Sequence, residues 1–191
     1  MDKADALHAA LPRPFLCVVD HGAEVTQVAI YNRSRRVMAV SIPLGTTKYH
    51  DEIIRIAQND LGVKLSQSTA QDILHKIGRV GVGQDKLAQN SKLSIRAGGN
   101  QTGAHQTIVI NAQQFASGLN HAVDELSELV ADELEKTSAE TQTELAAHGI
   151  MLCGGGALVS GLPARLAANL NLNVDVPDDC QLTVVKGLAA V

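Results

Sequence analysis

The chain has 191 residues, of which 45% are hydrophobic and 19% charged, with a formal net charge of −4 at pH 7. The hydrophobic content supports a buried core without disulfides or structural metals, and the net negative charge argues against electrostatic binding of nucleic acid. No apolar run reaches the about 20 residues that a membrane-spanning helix needs, so no direct membrane insertion is expected. Three widely separated cysteines with no CxxC pair predict reduced, buried thiols in a cytoplasmic protein and no structural zinc site.

The first third of the chain predicts a helix, a three-stranded meander and a second helix. Pro12 and Pro14 end the alanine-rich N-terminal helix, because proline cannot continue a helix. Gly62 is well placed as the C-cap of the second helix. In chain order we predict a helix at 1–11, strands at 15–20, 24–31 and 36–43, and a helix at 48–59.

The rest of the chain alternates strands with helices, which predicts α/β layers. Ser66 or Ser68 can cap a helix, and Asn111 is a natural N-cap for the longest helix, whose apolar residues recur at helical spacing. A polar stretch without a predicted element follows that helix. The predicted elements are helix 69–77, a hairpin over 92–110, helix 112–136, strand 150–153, helix 160–170, strand 173–176 and helix 183–191.

The most informative stretch is an apolar strand that ends in Gly154-Gly155-Gly156 just before a helix. Three consecutive glycines cost backbone entropy, so another group is expected to approach the backbone closely there. Nucleotides bind at turns of this kind. Two alternatives stay open: the glycines keep a nucleotide contact, or the packing of strand against helix itself requires them.

Five segments form an ordered series of motifs: FLCVVDHGAEVTQVAI (15–30), IPLGTTKYHDEII (42–54), QSTAQDILHKIG (67–78), TIVINAQQFASGL (107–119) and GIMLCGGGALVSGLPARL (149–166). This series resembles the bacterial actin MreB family, within the larger group that includes actin, Hsp70 and the sugar kinases. The corresponding family segments typically read VVDIGGGTTEVAV, VGGDEMDEAI, ERTAEEIKIEIG, the entry to a long helix, and GIVLTGGGALLRGLDRLL. The last match is the most specific.

The resemblance covers nearly the whole chain but corresponds to the C-terminal half of a family member, so the first actin domain would be absent. It implies an α/β fold with an actin-like (ribonuclease H-like) core subdomain, built from residues 1–60 and 145–191. A smaller α+β subdomain would be inserted at 61–144. Residues 1–11 resemble the end of the family's EPMAAAIGAGL segment and would form the linking helix.

The resemblance also implies a damaged phosphate-binding hairpin. In the family, backbone N–H groups of this hairpin approach the phosphates, and its leading aspartate organises the metal ion and its waters. Asp20, Gly22 and Thr26 are retained. Glu24 would place a carboxylate near phosphate oxygens, a repulsion of about 4 kcal/mol at ~4 Å and an effective dielectric of about 20. Val25 is β-branched and resists the backbone angles of a glycine.

Other family positions have changed as well. Met1 stands where the family has the glutamate that positions the attacking water, and a methionine cannot orient water. Gln71 and Leu74 replace the Glu-x-x-Lys that holds the adenosine, and Thr47 replaces an aspartate. We therefore predict no catalytic residue, no metal ligand and no required cofactor, the weaker alternative being ATP with magnesium. The candidate cofactor-binding residues are Asp20, Gly22, Thr26, Gln71, Gly154, Gly155 and Gly156.

Three functions follow from the resemblance. The first is a non-catalytic cytoskeletal or filament-associated protein involved in cell shape or intracellular organisation. The alternatives are half of a split actin-like ATPase that needs a partner chain, and an adaptor or chaperone-like module of the same fold. The expected partner is a protein, either a second copy in a dimer or short filament, or another actin-like filament protein. An exposed strip is expected on 1–11 and near Gly45 and Gly154, where the absent domain would pack.

Overall fold

The protein, described by a computed structural model, divides by compactness into two units. Unit 1 comprises Met1–Thr46, Asp124–Leu158 and Pro163–Val191, and unit 2 comprises Thr47–Val123 and Val159–Leu162. The structure describes residues 2–11, 13–33, 35–81, 91–99 and 105–189, without the side chains of residues 105 and 106. Predictions that concern Met1, parts of the stretch 82–104, and the last two residues lie outside this range.

The described elements follow one another in an order that mixes strands and helices throughout. They are α1 (Lys3–Ala10), β1 (Phe15–His21), β2 (Thr26–Asn32), β3 (Arg35–Ile42), α2 (Thr47–Asp60), β4 (Val63–Lys64), α3 (Gln67–Ile77), β5 (Lys92–Gly99), β6 (His105–Asn111), α4 (Gln113–Glu135), α5 (Ala139–His148), β7 (Ile150–Cys153), a 3-10 helix (Gly155–Leu158), α6 (Leu162–Leu170), β8 (Val174–Asp175), a second 3-10 helix (Cys180–Leu182) and α7 (Thr183–Ala189).

Unit 1 is built on a five-stranded mixed sheet with the strand order β3-β2-β1-β7-β8. The central strand β1 is buried along its whole length, which explains why it reads as a continuous apolar run rather than an alternating one. β2 pairs antiparallel with β1 and β3, whereas β7 is parallel to β1 and β8 is parallel to β7. The strands β1 and β7 therefore end at the same edge of the sheet.

Helix α1 packs on this sheet and against α7. Ala4 and Leu7 share a core with side chains of β1, β2 and β7. Gly187 of α7 lies so close to the Ala6 carbonyl that a Cβ there would come within 1.6 Å of its oxygen. The exposed strip expected on residues 1–11 is therefore wrong for the apolar side of α1, because that side is covered by the unit's own sheet and C-terminal helix.

Unit 2 contains a three-stranded antiparallel sheet of order β4-β5-β6, together with α2, α3 and the first half of α4. Helix α2 contacts α3 and β4, which explains why it belongs to this unit. Residue Gly118 of α4 crosses α2 beside Ile56 and Glu52. The compact units change at 46/47 and 123/124. Such units are defined by contacts and are not the family's subdomains, so the subdomain limits at 60/61 and 144/145 stay a prediction.

The α/β class and most predicted elements are confirmed, and the differences have local causes. Helix α3 begins at Gln67 because Ser66 caps it by accepting a hydrogen bond from the Thr69 amide. Within the predicted hairpin over 92–110, β5 continues through Gly98 and Gly99, because both residues pair with β4. Helix α5 (Ala139–His148) lies in the polar stretch where no element was predicted. The longest helix, α4, carries several acidic residues, and none of the described helices could span a bilayer.

Candidate functional site

The carboxyl ends of the parallel strands β1 and β7 meet at one edge of the unit 1 sheet, where Asp20 is paired with Cys153. Ligands of α/β proteins bind outside the carboxyl ends of parallel strands. The hairpin between β1 and β2 and the glycine turn after β7 both leave the sheet there, and they touch each other. Every candidate residue except Gln71 therefore lies at this end of unit 1.

Asp20 is buried and is paired with a lysine from α1. Its side chain is cut off from solvent, with 3% of the residue exposed. Its Oδ2 atom lies 2.5 Å from Nζ of Lys3, an ion pair, and accepts no hydrogen bond from the described residues. The carboxylate that the family resemblance assigned to metal organisation is thus neutralised by an ammonium group of the same chain.

His21 is fully buried and forms part of a short hydrogen-bond chain. The Thr26 hydroxyl donates to the Leu44 carbonyl at 2.6 Å, so its oxygen is left to accept from Nδ1 of His21, also at 2.6 Å. This assigns the proton of the neutral imidazole to Nδ1. Burial lowers the pKa of His21 to about 4, so the ring is uncharged at neutral pH and offers no positive charge to a phosphate.

The glycine turn after β7 is shaped around the His21 side chain. A Cβ at Gly156 would lie 2.0 Å from Cδ2 of His21, and a Cβ at Gly154 would lie 2.5 Å from Oδ1 of Asp20. Gly154 also has a φ of +84°, which side-chain-bearing residues rarely adopt. Packing against the first hairpin therefore accounts for both glycines, which favours the packing alternative over a retained nucleotide contact.

The tip of the β1–β2 hairpin is held by its own backbone. The Gly22 N–H donates to the Val25 carbonyl at 3.1 Å, and the Gly22 carbonyl accepts from the Thr46 N–H at 3.0 Å. The Ala23 carbonyl lies against Gly45, where an added Cβ would come within 2.2 Å of its oxygen. The amide of Gly22 is therefore already used within the chain, although Ala23, Glu24 and Val25 are exposed.

Two buried cysteines line the same end of the sheet without forming a disulfide. The Gly154 N–H donates to the Cys180 carbonyl at 2.9 Å, which ties the glycine turn to the second 3-10 helix. Burial raises the pKa of Cys153 to about 11, an effect that a hydrogen bond from Thr183 only partly opposes. The Cys153 thiol therefore stays protonated at neutral pH and is a packing group rather than a nucleophile.

A sequence profile of the MreB/Mbl protein family matches residues 12–191. This chain belongs to the MreB/Mbl family. Among curated relatives, the cell shape-determining protein Mbl of Bacillus subtilis (strain 168) is 29% identical over 166 residues, which are 85% of this chain and 49% of that protein. The cell shape-determining protein MreB of Escherichia coli (strain K12) is 25% identical over 170 residues, which are 89% of this chain and 48% of that protein. The chain thus spans about half the length of the curated relatives it matches.

Solved structures share the fold. MreB5 of Spiroplasma citri bound to ADP superposes with a TM-score of 0.90 at 21% identity, covering 99% of this chain and 58% of that one. The ethanolamine utilization protein EutJ from Carboxydothermus hydrogenoformans gives 0.67 at 15% identity, covering 99% of this chain and 53% of that one. The actin-like fold predicted from the motifs is confirmed.

The end of the unit 1 sheet does not fit a magnesium ion. Magnesium keeps several waters in a near-octahedral shell, so it needs open space in front of a carboxylate. Asp20 has almost no exposed surface, and Lys3 already stands against its Oδ2 atom. Nowhere in the described ranges do three or more His, Cys, Asp or Glu side chains form a group that could hold a metal ion.

The structure places the remaining family positions in unit 2 or outside its description. Gln71 is exposed on α3, Leu74 is buried beneath the same helix, and Thr47 is the first residue of α2. Met1 lies outside the described residues. Sequence reasoning missed Lys3 and His21. His21 carries a signal, since it is a histidine that ends a buried strand, whereas a lone lysine in an alanine-rich helix reads as an exposed charge.

Proposed function

We propose that this chain is a cytoskeletal protein that acts in cell shape as a protein-binding scaffold and neither requires nor hydrolyses ATP. The observation that carries the proposal is the end of the unit 1 sheet, where Lys3 neutralises Asp20, His21 bonds to Thr26, and the Gly22 amide donates to Val25. We therefore assign this chain a role in binding rather than in catalysis.

Family membership supports the cytoskeletal part of the proposal. The curated relatives are named cell shape-determining proteins. MreB5 of Spiroplasma citri, which shares the fold with a TM-score of 0.90, was solved bound to ADP. The chain spans about half the length of those relatives, so only their cytoskeletal role is proposed for it here, and the nucleotide-independent part of the proposal rests on the residues of unit 1 alone.

The hairpin supports the nucleotide-independent part. A phosphate cradle needs backbone N–H groups that point at the ligand. Here the Gly22 amide is donated to Val25, and Glu24 adds negative charge at the exposed tip. The split-ATPase alternative depended on the glycine turn, and the contact of His21 with Gly156 gives those glycines a packing role.

An exposed apolar face supports the protein partner. Four large aliphatic side chains of unit 1 are 51% to 61% exposed: Leu158, Leu182, Val185 and Leu188. The last three recur every third residue along α7 and the turn before it, on the side opposite Thr183 and Gly187, which are buried. The two 3-10 helices that carry Leu158 and Leu182 contact each other. Exposed apolar side chains that lie next to one another mark interaction sites, so we expect a protein to cover this face.

Calorimetry and thermal unfolding with magnesium and ATP test the proposal. A ligand present at one hundred times its Kd stabilises a folded protein by about 2.7 kcal/mol, so micromolar binding would be evident at millimolar ATP. We expect no heat, no rise in Tm and no phosphate release from the natural chain. A micromolar Kd or measurable hydrolysis by the chain alone would overturn the proposal. The matched control is Glu24→Gln, which removes the carboxylate from the tip and is expected to stay equally inactive, because the Gly22 amide and the His21 packing are unchanged.

A further inference from the structure

Asp20 is the only described acidic residue that is buried in the core of unit 1, and its neutralisation comes from outside the sheet. Removing a carboxylate from water is costly unless a cation and hydrogen bonds replace the lost hydration. The ammonium of Lys3 supplies that cation at 2.5 Å from Oδ2. Lys3 itself keeps 39% of its side chain exposed, so only the carboxylate is fully desolvated.

The position of Lys3 is fixed by contacts that do not involve its own charge. Asp2 caps α1 by accepting a hydrogen bond from the Asp5 amide at 2.9 Å. The Tyr31 hydroxyl donates to Asp5 at 2.7 Å, and His8 stacks on the Tyr31 ring at 4.3 Å between centroids. Helix α1 is thus held on β2 by its first and second turns.

Because these contacts hold the helix, the lysine stem starts from a defined point beside the end of β1. Only the side-chain torsions of Lys3 then remain to be ordered when Nζ meets the carboxylate, because the helix already fixes the backbone from which the side chain starts. Arg36 pairs with Asp2 and lies 3.5 Å from Asp5, which keeps the acidic residues of α1 occupied by a different cation. Lys3 is therefore the cation that stands against Asp20.

We propose that Lys3 is the built-in counter-ion of Asp20, standing where a hydrated divalent cation would otherwise be required, and that this ion pair fastens α1 to the sheet. The proposal rests on the proposed nucleotide-independent function and gives it a mechanism. The charge at the end of β1 is neutralised permanently by the chain itself, so the fold of unit 1 does not depend on metal or nucleotide concentration.

A double-mutant cycle on the full chain tests the ion pair. Lys3→Met keeps the apolar stem and removes the charge, and we expect it to raise the unfolding equilibrium constant about 10²- to 10³-fold by leaving a buried carboxylate unpaired. Lys3→Met with Asp20→Asn removes both charges and is expected to recover most of that loss. The matched control is Lys186→Met, which breaks the exposed pair with Asp179 and should change the constant less than about fivefold.

The outcome that contradicts the ion pair is a Lys3→Met variant no less stable than Lys186→Met, or one that Asp20→Asn does not rescue. If Lys3→Met does not fold, recovery of folded, soluble protein in the double variant still reads the coupling. The double-mutant cycle uses no nucleotide, so the ion-pair proposal can fail even if the natural chain does not bind ATP. Conversely, ATP binding by the natural chain would overturn the proposed function and leave the measured coupling intact.

Binding of Mn²⁺, followed by the paramagnetic broadening of its electron spin resonance signal, tests whether Lys3 stands in a cation's place. We expect no binding by the natural chain, weak binding by Lys3→Met, and none by the double variant. Equal Mn²⁺ binding by all three proteins would contradict this part of the proposal, as would a Lys3→Met variant that binds no more Mn²⁺ than the double variant.

Discussion

His21 and Gly156 form a pair in which a missing side chain makes room for a large one. The imidazole is buried, neutral and hydrogen-bonded through Nδ1 to Thr26. Its far edge lies where the Cβ of any other residue at position 156 would stand. The glycine is therefore needed by the fold of this chain whether or not a ligand ever approaches the turn.

Gly156→Ala is expected to lower the free energy of unfolding by about 1–3 kcal/mol, because the imidazole must leave its place and its bond to Thr26. Chemical denaturation measures this loss. Gly155→Ala is the matched control, because a Cβ added at Gly155 would have Nε2 of Gln181 as its nearest heavy atom, at 3.9 Å, which is an ordinary contact. Equal stability of the two variants would show that His21 does not depend on the glycine.

A similar dependence explains why Lys3 could not be assigned from the sequence. In an alanine-rich segment a single lysine reads as a solvent-exposed charge. Only the docking of α1 on the sheet brings it to Asp20, which is seventeen positions away in the chain. The carboxylate was recognised from its motif, but its partner was set by packing.

At the level of elements, α5 shows where pattern reasoning was insufficient. Its only buried side chains are Thr141 and Leu145, so the segment lacks the apolar stripe that marks a surface helix. The helix is defined instead by its ends. Ser138 accepts a hydrogen bond from the Thr141 amide at 3.3 Å, and Gly149 follows its last residue with a φ of +70°.

We expect Ser138→Ala to lower the free energy of unfolding by about 1 kcal/mol, because the first turn of α5 loses its capping acceptor. Ser138→Asp is the matched variant, since it keeps an acceptor and is expected to stay near the natural stability. Urea unfolding of the three proteins gives the comparison. A loss of the same size in both variants would mean that the loss does not come from the missing capping acceptor.

Helix α1 shows the opposite relation between pattern and structure. Its sequence predicted a helix correctly, and the family resemblance gave it the role of a linking helix that is exposed on one side. The structure covers its apolar side with the sheet and α7. The helix is therefore part of the core of unit 1, and deleting it would uncover that core rather than remove a docking strip.

At the scale of the whole molecule, the apolar face of α7 is a surface that unit 1 leaves exposed to solvent. Leu182, Val185 and Leu188 cannot pack inward, because the opposite side of the helix already rests on Ala6 of α1. Apolar faces of this kind are seldom left uncovered in solution. The chain is therefore expected to self-associate when no other partner is present.

Sedimentation of the natural chain is expected to show species larger than a monomer, and Val185→Glu is expected to shift them to the monomer by placing a charge in the apolar face. Val109→Glu is the control, because Val109 is equally exposed on β6 in unit 2. A natural chain that sediments as a monomer would contradict the prediction. So would an assembly that resists Val185→Glu but not Val109→Glu.

The sequence by itself determined the class of the fold, most elements and the family, because apolar periodicity, caps and ordered motifs are local signals that survive without knowledge of the packing. It also located Asp20 and the glycine turn. Only the tertiary structure decided what those residues contact: His21 over Gly156, Lys3 against Asp20, and α1 beneath α7. Each of these contacts joins residues that are far apart in the chain. The type of a residue does not reveal which distant group will pack against it and remove it from water.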